Sequence, residues 1–217
     1  MTDIEWRVSE APVAYEEALS FMEDRAAAIR AGSARECIWL LEHPPLFTAG
    51  TSADLAELTN PLGFPVYEAG RGGRYTYHGP GQRVVYVMLD LEKRSRDIRC
   101  FVHALEGWTI GALAELGIAA HRAEGRIGIW VGDGPGEKKI GALGVRVKRW
   151  VTLHGFALNV APDLAHFGGI VPCGIADYGV TSLAELGKQI PMTGVDACLK
   201  RGFRPFLNML ERQCKES

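Results

Sequence analysis

Apolar positions recur at helical spacing in three stretches of the chain and alternate or run together in several shorter ones. Between Ser9 and Gly32, the residues Ala14, Ala18, Leu19, Phe21, Met22 and Ile29 fall on a helical pattern. This predicts a helix capped by Ser9, with Pro12 in its first turn and Gly32 as its stop. Asp97 to Leu116 carries the same period and ends at Gly117, and Gly194 to Gln213 carries a third. Glu36 to Leu41 is a short apolar run bounded by Pro44 and Pro45, and Arg83 to Leu91 (RVVYVMLDL) is β-branched and apolar, so both read as strands. Gly79-Pro80-Gly81 marks a turn between motifs. Ile127–Val131, Lys139–Val147 and Val151–Val160 predict a meander, joined by a turn over Gly132–Gly136 and a basic turn at Lys148-Arg149. Helices interleaved with neighbouring strands predict an α/β (α+β) fold, with a mixed, largely antiparallel sheet flanked by helices. No repeat or linker divides residues 1–217, so one domain is expected.

Composition changes this picture little. At 217 residues and 47% hydrophobic, the chain can bury a core without metal or disulfide staples. A net charge of −2 argues against a general polyanion binder, so no nucleic acid partner is expected. The five cysteines, Cys37, Cys100, Cys173, Cys198 and Cys214, are odd in number and show no CxxC spacing. That predicts free thiols in a reducing cytoplasm rather than a disulfide framework or zinc site. The N-terminus has no signal-peptide pattern, and no apolar run approaches a membrane span. No HExxH or carboxylate-rich cluster suggests a metal.

Cys173 differs from the other cysteines. It stands between Pro172 and Gly174 in a segment rich in glycine and proline, where a bend can present a thiol beside backbone N–H groups. A buried structural cysteine fits the same local sequence. Lys139 opens an apolar run. It fits a solvated charge at a strand end, and equally a partly desolvated lysine that burial disposes to give up its proton and so to act on a thiol. Arg71 to His78 reads RGGRYTYH, with two glycines between two arginines. It fits a surface turn or a loop whose backbone closely approaches a ligand, and it is not a phosphate loop. His78 and His154 fit packed histidines or the wall of a site.

Four segments together resemble one family, the lipoyl(octanoyl) transferases. These are Glu42-His43-Pro44-Pro45 with Thr48-Ala49-Gly50, RGGRYTYHGPGQ, KIGALGVRVKRWVTLHGFALNV, and IVPCGIADYGVTSL. They occur in the family's order between Glu42 and Leu183. The resemblance implies the catalytic fold of biotin protein ligases and lipoate ligases. It implies an acyl-thioester intermediate on Cys173, with Lys139 tuning that thiol. It implies acyl-substrate contacts at Arg71, Gly72, Gly73, Arg74, Tyr75, Thr76, Tyr77 and His78, at Ala142, Leu143 and Gly144, and at Gly155, Phe156 and Ala157, with His154 in support. An octanoyl group would pass from the phosphopantetheine of acyl carrier protein to a lysine on lipoyl domains of 2-oxoacid dehydrogenases and the glycine cleavage H protein. No cofactor, ATP or metal would be needed. A cytoplasmic monomer with no membrane contact is expected, and Arg71, Arg74, Arg146, Lys148 and Arg149 are candidates for docking acidic partner domains. Three rivals remain: an ATP-dependent ligase on the same fold, an amidotransferase drawing octanoyl from another lipoyl domain, and a non-catalytic binding protein.

Overall fold

The computed structural model describes residues 4–170 and 178–212. In chain order its elements are β1 (Glu5–Val8), α1 (Tyr15–Ala31), β2 (Cys37–Leu41), β3 (Leu46–Ala49), β4 (Val66–Glu68), β5 (Thr76–His78), β6 (Gln82–Met88), α2 (Ile98–Glu115), β7 (Ala120–Ala123), β8 (Arg126–Val131), β9 (Lys138–Lys148), β10 (Val151–Asn159), β11 (Gly179–Val180) and α3 (Met192–Arg212). Among the described residues, seven strands form the order β1-β2-β6-β10-β9-β8-β7, and β11 joins as an eighth along β9. The pairs β1–β2 and β11–β9 are parallel and the rest antiparallel, as the strand pattern predicts. A second sheet, β4-β3-β5, lies apart from this one in pairing.

Strand pleating explains how the sheet buries two faces at once. Ile38, Leu40, Val85, Val87, Phe156 and Leu158 point toward α2 and α3. Cys37, Trp39, Leu41, Val84, Tyr86, Met88, Leu153 and Ala157 share a cluster with α1 residues Ala18, Met22, Ala26 and Ile29. A strand buried on both faces reads as a continuous apolar run, which is why β2, β6 and β10 are legible in the sequence. Trp108 anchors the α2–α3 layer. It stacks on Phe206 at 4.9 Å and donates its indole N–H to the Leu199 carbonyl at 2.8 Å.

Several expectations need correction. Ser9 does not cap α1, which begins six residues later behind Ala14. Its amide donates to the Leu40 carbonyl and its hydroxyl accepts from Trp39 Nε1 at 3.0 Å, so it fastens the end of β1 to β2. Gly32 does stop α1, at φ 75°, and the Asp97 side chain caps α2 by accepting the Cys100 amide at 2.9 Å. The β9–β10 turn is Arg149-Trp150 rather than Lys148-Arg149. Both its residues have positive φ, 51° and 65°, as a two-residue hairpin matched to sheet twist requires. Cys37 and Cys198 are free and buried. Cys100 is disulfide-bonded, which corrects the expectation of free thiols throughout. It lies at the end of α2 that packs on the C-terminal part of α3, where Phe101 meets Phe206.

Candidate active site

β8 pairs with β9 only as far as Gly141, so from Ala142 onward β9 has an edge that β8 leaves free. The RGGR loop covers it: the Gly72 amide donates to the Val145 carbonyl at 3.0 Å. The loop is also bonded to the chain after β3, through Thr51 N to Arg71 O at 2.8 Å and Ser52 N to Gly73 O at 3.1 Å. Such backbone-to-backbone contact leaves little room for side chains. A Cβ on Gly144 would stand 2.7 Å from Arg71 Cδ, and one on Gly50 would run into the Gly73 carbonyl. The close approach is carried by Gly144 on β9 and Gly50 after β3 rather than by Gly72 and Gly73, where an added Cβ would meet nothing nearer than 3.6 Å.

Under this loop lies a cavity of about 450 Å³, within the range of small-ligand sites. Arg71, Gly72, Gly73, Arg74, Tyr75, Thr76, His78, Ala142, Leu143, Gly144, His154, Gly155, Phe156 and Ala157 all line it. Tyr77 does not. β5 alternates its faces, so Thr76 and His78 turn to the cavity while Tyr77 packs between Phe47 and Phe167. The Tyr77 hydroxyl meets His166 Nδ1 at 2.8 Å. Tyr15, Val84, Tyr86, Ile98, Val102 and Ile127 also line the cavity, although the sequence motifs did not single them out.

Arg71 is buried and donates to the Thr48 carbonyl at 2.9 Å, to Thr48 Oγ1 at 2.7 Å and to its neighbour Gly72's carbonyl at 2.9 Å. It therefore holds the loop to β3 and is not a docking charge. Arg74 pairs with Glu57 and Arg146 with Glu23, while Lys148 and Arg149 are exposed. Replacing Arg71 with Met would leave the buried Thr48 carbonyl and hydroxyl without this donor. A loss of about 1–3 kcal/mol is expected, read as a lower urea midpoint. An unchanged midpoint would contradict this account of the loop.

Three histidines cluster behind the cavity. His43 donates from Nδ1 to the Val13 carbonyl at 2.7 Å, which leaves Nε2 to accept the Tyr86 hydroxyl at 2.7 Å. His78 donates from Nδ1 to Gln82 Oε1 at 2.6 Å, because Gln82 Nε2 donates onward to Asn159 at 3.0 Å. His154 sits at φ 62°, a strained position for a residue with a side chain. There the β10–β6 ladder lapses, and the His154 amide points to Met22 Sδ at 3.3 Å. Its Nε2 lies 3.3 Å from the Tyr15 hydroxyl, and Nδ1 has no hydrogen-bond partner among the described residues. Burial lowers all three pKa values, His43 to about 4, His154 to about 3 and His78 well below the usual histidine range. Burial likewise raises the Tyr15 hydroxyl to about 12 and Tyr86 well above its usual value. At neutral pH the back wall is thus an uncharged hydrogen-bonded network.

These shifts have a consequence for stability. Each histidine binds a proton near pH 6.5 when unfolded, whereas in the folded state His43 does so only near pH 4, His154 only near pH 3 and His78 well below its ordinary range, so the unfolded state gains protons as pH falls. Stability should be full above about pH 7 and should drop below 6.5 by about 1.4 kcal/mol per pH unit for each histidine involved. The check is the urea midpoint between pH 7 and pH 4.5. His43→Gln should flatten the slope by one proton's worth, and an unaltered slope would contradict the assignment.

Lys139 is 7% exposed, so it is not a solvated strand-end charge. Its Nζ donates to the Ile127 carbonyl at 2.8 Å and lies 5.5 Å from the centre of the Trp130 ring. Lys139 does not line the large cavity. It lines a small neighbouring one, which shares Tyr75, Thr76 and Ala142 with the first. Cys173 lies outside the described residues. The chain on either side of its segment is anchored: Ile170 bridges to Leu58, and Val180 pairs with Lys139 itself.

A cavity lined largely by apolar surface thus lies next to the smaller one that holds the buried Lys139, on a mixed sheet flanked by helices. The profile of the lipoyl protein ligase A/B catalytic domain matches residues 14–204, and the chain belongs to that family. Within it, the chain is a member of the lipoyl(octanoyl) transferase group, and by class an octanoyltransferase. It is 69% identical to the octanoyltransferase of Sphingopyxis alaskensis, over 95% of both chains. It is 65% identical to that of Rhodospirillum rubrum, over 92% of this chain and 93% of the other. Among solved structures, lipoate-protein ligase A bound with ATP superposes with a TM-score of 0.69 at 19% identity, covering 94% of this chain and 86% of that one. The biotin protein ligase of Aquifex aeolicus gives 0.54 at 12% identity, covering 100% and 74%. These two show the shared fold.

Proposed function

We propose that this enzyme takes an octanoyl group from acyl carrier protein onto Cys173 as a thioester, and delivers it to the target lysine of lipoyl domains. Those domains belong to 2-oxoacid dehydrogenases and the glycine cleavage H protein, and the work is done in the cytoplasm by a monomer without ATP or metal. The observation that supports it most is the largely apolar cavity that shares Tyr75, Thr76 and Ala142 with the small one lined by the buried Lys139, whose strand pairs with β11 on the chain that follows the Cys173 segment.

The donor thioester carries the activation. Neutral Lys139 takes the thiol proton of Cys173, the thiolate attacks the octanoyl carbonyl, and the tetrahedral oxyanion collapses with departure of the carrier thiol, which takes the proton back from Lys139. Exchange between thiols is nearly balanced. The acceptor lysine then attacks as a neutral amine, Cys173 leaves as its thiolate, the surplus amine proton passes by way of Lys139 to that thiolate, and the amide forms downhill. The small or apolar residues Ala142, Leu143, Gly144, Gly155, Phe156 and Ala157 suit an acyl chain lying against backbone, while Arg71 fixes the loop above it. About seven buried carbons at roughly 0.8 kcal/mol each give at most about 5–6 kcal/mol. Neighbouring chain lengths should therefore be partly tolerated.

The test is a reaction of purified enzyme, octanoyl carrier protein and a lipoyl domain, read by the mass of the lipoyl domain. Octanoylation without ATP is expected. Dependence on ATP and free octanoate would instead favour a ligase, and octanoyl transfer only from another lipoyl domain would favour an amidotransferase.

A further inference from the structure

We propose that Gly128 is a positioning residue for the reaction: its missing side chain is the seat in which the Lys139 head group rests. This rests on the reading of Lys139 as the group that takes the Cys173 proton.

Gly128 lies on β8 with φ 138°, a conformation that favours glycine. The β8–β9 register slips immediately after it, between Ile129 and Trp130. The strand backbone thereby passes directly over the lysine side chain. A Cβ at Gly128 would stand 2.8 Å from Lys139 Nζ, nearer still to Cε, and 3.1 Å from the Gly141 carbonyl. Of these neighbours, the Gly141 carbonyl is fixed in the sheet and the lysine head is not. The cheapest relief of an added methyl is therefore to push the head group out of its seat. That would cost the bond from Nζ to the Ile127 carbonyl, 2.8 Å, which now fixes the amine. Trp130 closes the other side of the seat, with its ring held under Arg126 at 4.4 Å. Among the described residues, β8 thus supplies the Ile127 carbonyl, the Trp130 ring and the missing side chain of the seat, and a single methyl at its base should move the amine while leaving the rest of the cavity in place.

The experiment compares Gly128→Ala, Lys139→Ala and the double variant in three readouts: single-turnover octanoyl-thioester formation, the pH profile of Cys173 alkylation followed on its own peptide, and the urea midpoint. Gly128→Ala should slow thioester formation about ten- to hundred-fold, as a misplaced catalytic group does. It should also shift the alkylation profile upward toward that of Lys139→Ala. Because Gly128 acts through Lys139, the double variant should be no slower than Lys139→Ala alone. If Gly128→Ala folds poorly, removing the lysine head relieves the clash and the double variant should regain stability. An unchanged alkylation profile, a further rate loss in the double variant, or a double variant as unstable as Gly128→Ala would each overturn the inference. Absence of any thioester in the wild type would instead strike down the catalytic reading and this inference with it.

Discussion

Cys173→Ser should abolish acyl capture and lower octanoyl transfer to a lipoyl domain by roughly 10³-fold or more, the scale seen when a nucleophile is removed. The reason is chemical rather than steric. A thiol with an ordinary pKa of about 8.5 is readily ionised by a nearby amine, whereas a serine hydroxyl is not. The serine ester, if formed, would also be a poorer donor to the acceptor amine than a thioester. The measurement is single-turnover transfer from labelled octanoyl carrier protein, with the enzyme's own label counted after quenching. Wild-type turnover by Cys173→Ser would refute covalent catalysis. Since the side chain is nearly isosteric, the urea midpoint should stay within about 0.5 kcal/mol of wild type, separating lost chemistry from lost fold.

The second large effect is expected at Lys139. Lys139→Ala should slow thioester formation by about 10²–10⁴-fold, the usual worth of a positioned proton acceptor. Its alkylation profile should move to that of a free thiol. Lys139→Arg separates charge from proton transfer, since a guanidinium keeps a positive charge but does not deprotonate. If Lys139 acts as a base, Arg will not rescue the rate. Substantial rescue by Arg would mean that Lys139 serves only as a fixed cation beside the thiolate. An unchanged alkylation rate in Lys139→Ala would remove it from the mechanism.

Local pattern and long-range contact divide what could be read in advance. β2, β6 and β10 are central strands buried on both faces, so their sequences are largely apolar and can be read without knowledge of their neighbours. The short strands β1, β3, β4 and β5 have little pattern of their own and exist through their partners. Ser9 looked like a helix cap because serine ahead of a helical period usually is one, but pairing of β1 with β2 claimed it first. The RGGRYTYH motif gives Tyr77 no mark that separates it from its neighbours, yet strand alternation turns it away from Thr76 and His78. Whether Lys139 is solvated or buried depends on β8 and β11, which lie beside it only once the sheet has formed. Tyr15, His43 and Tyr86 meet from three separate elements, so their network has no local signature. The same holds for Gly128, whose meaning comes only from the side chain lying beneath it. Of these, His43 alone left a trace, inside the Glu42-His43-Pro44-Pro45 motif, where it marked family without revealing its hydrogen bonds.

If one sulfur briefly carries the acyl group, the intact mass of the wild-type protein must change after mixing with octanoyl carrier protein and no acceptor. A gain of one octanoyl group is expected, mapped to the peptide bearing Cys173 and removed by hydroxylamine. A protein that stays unmodified while still octanoylating an added lipoyl domain would contradict it.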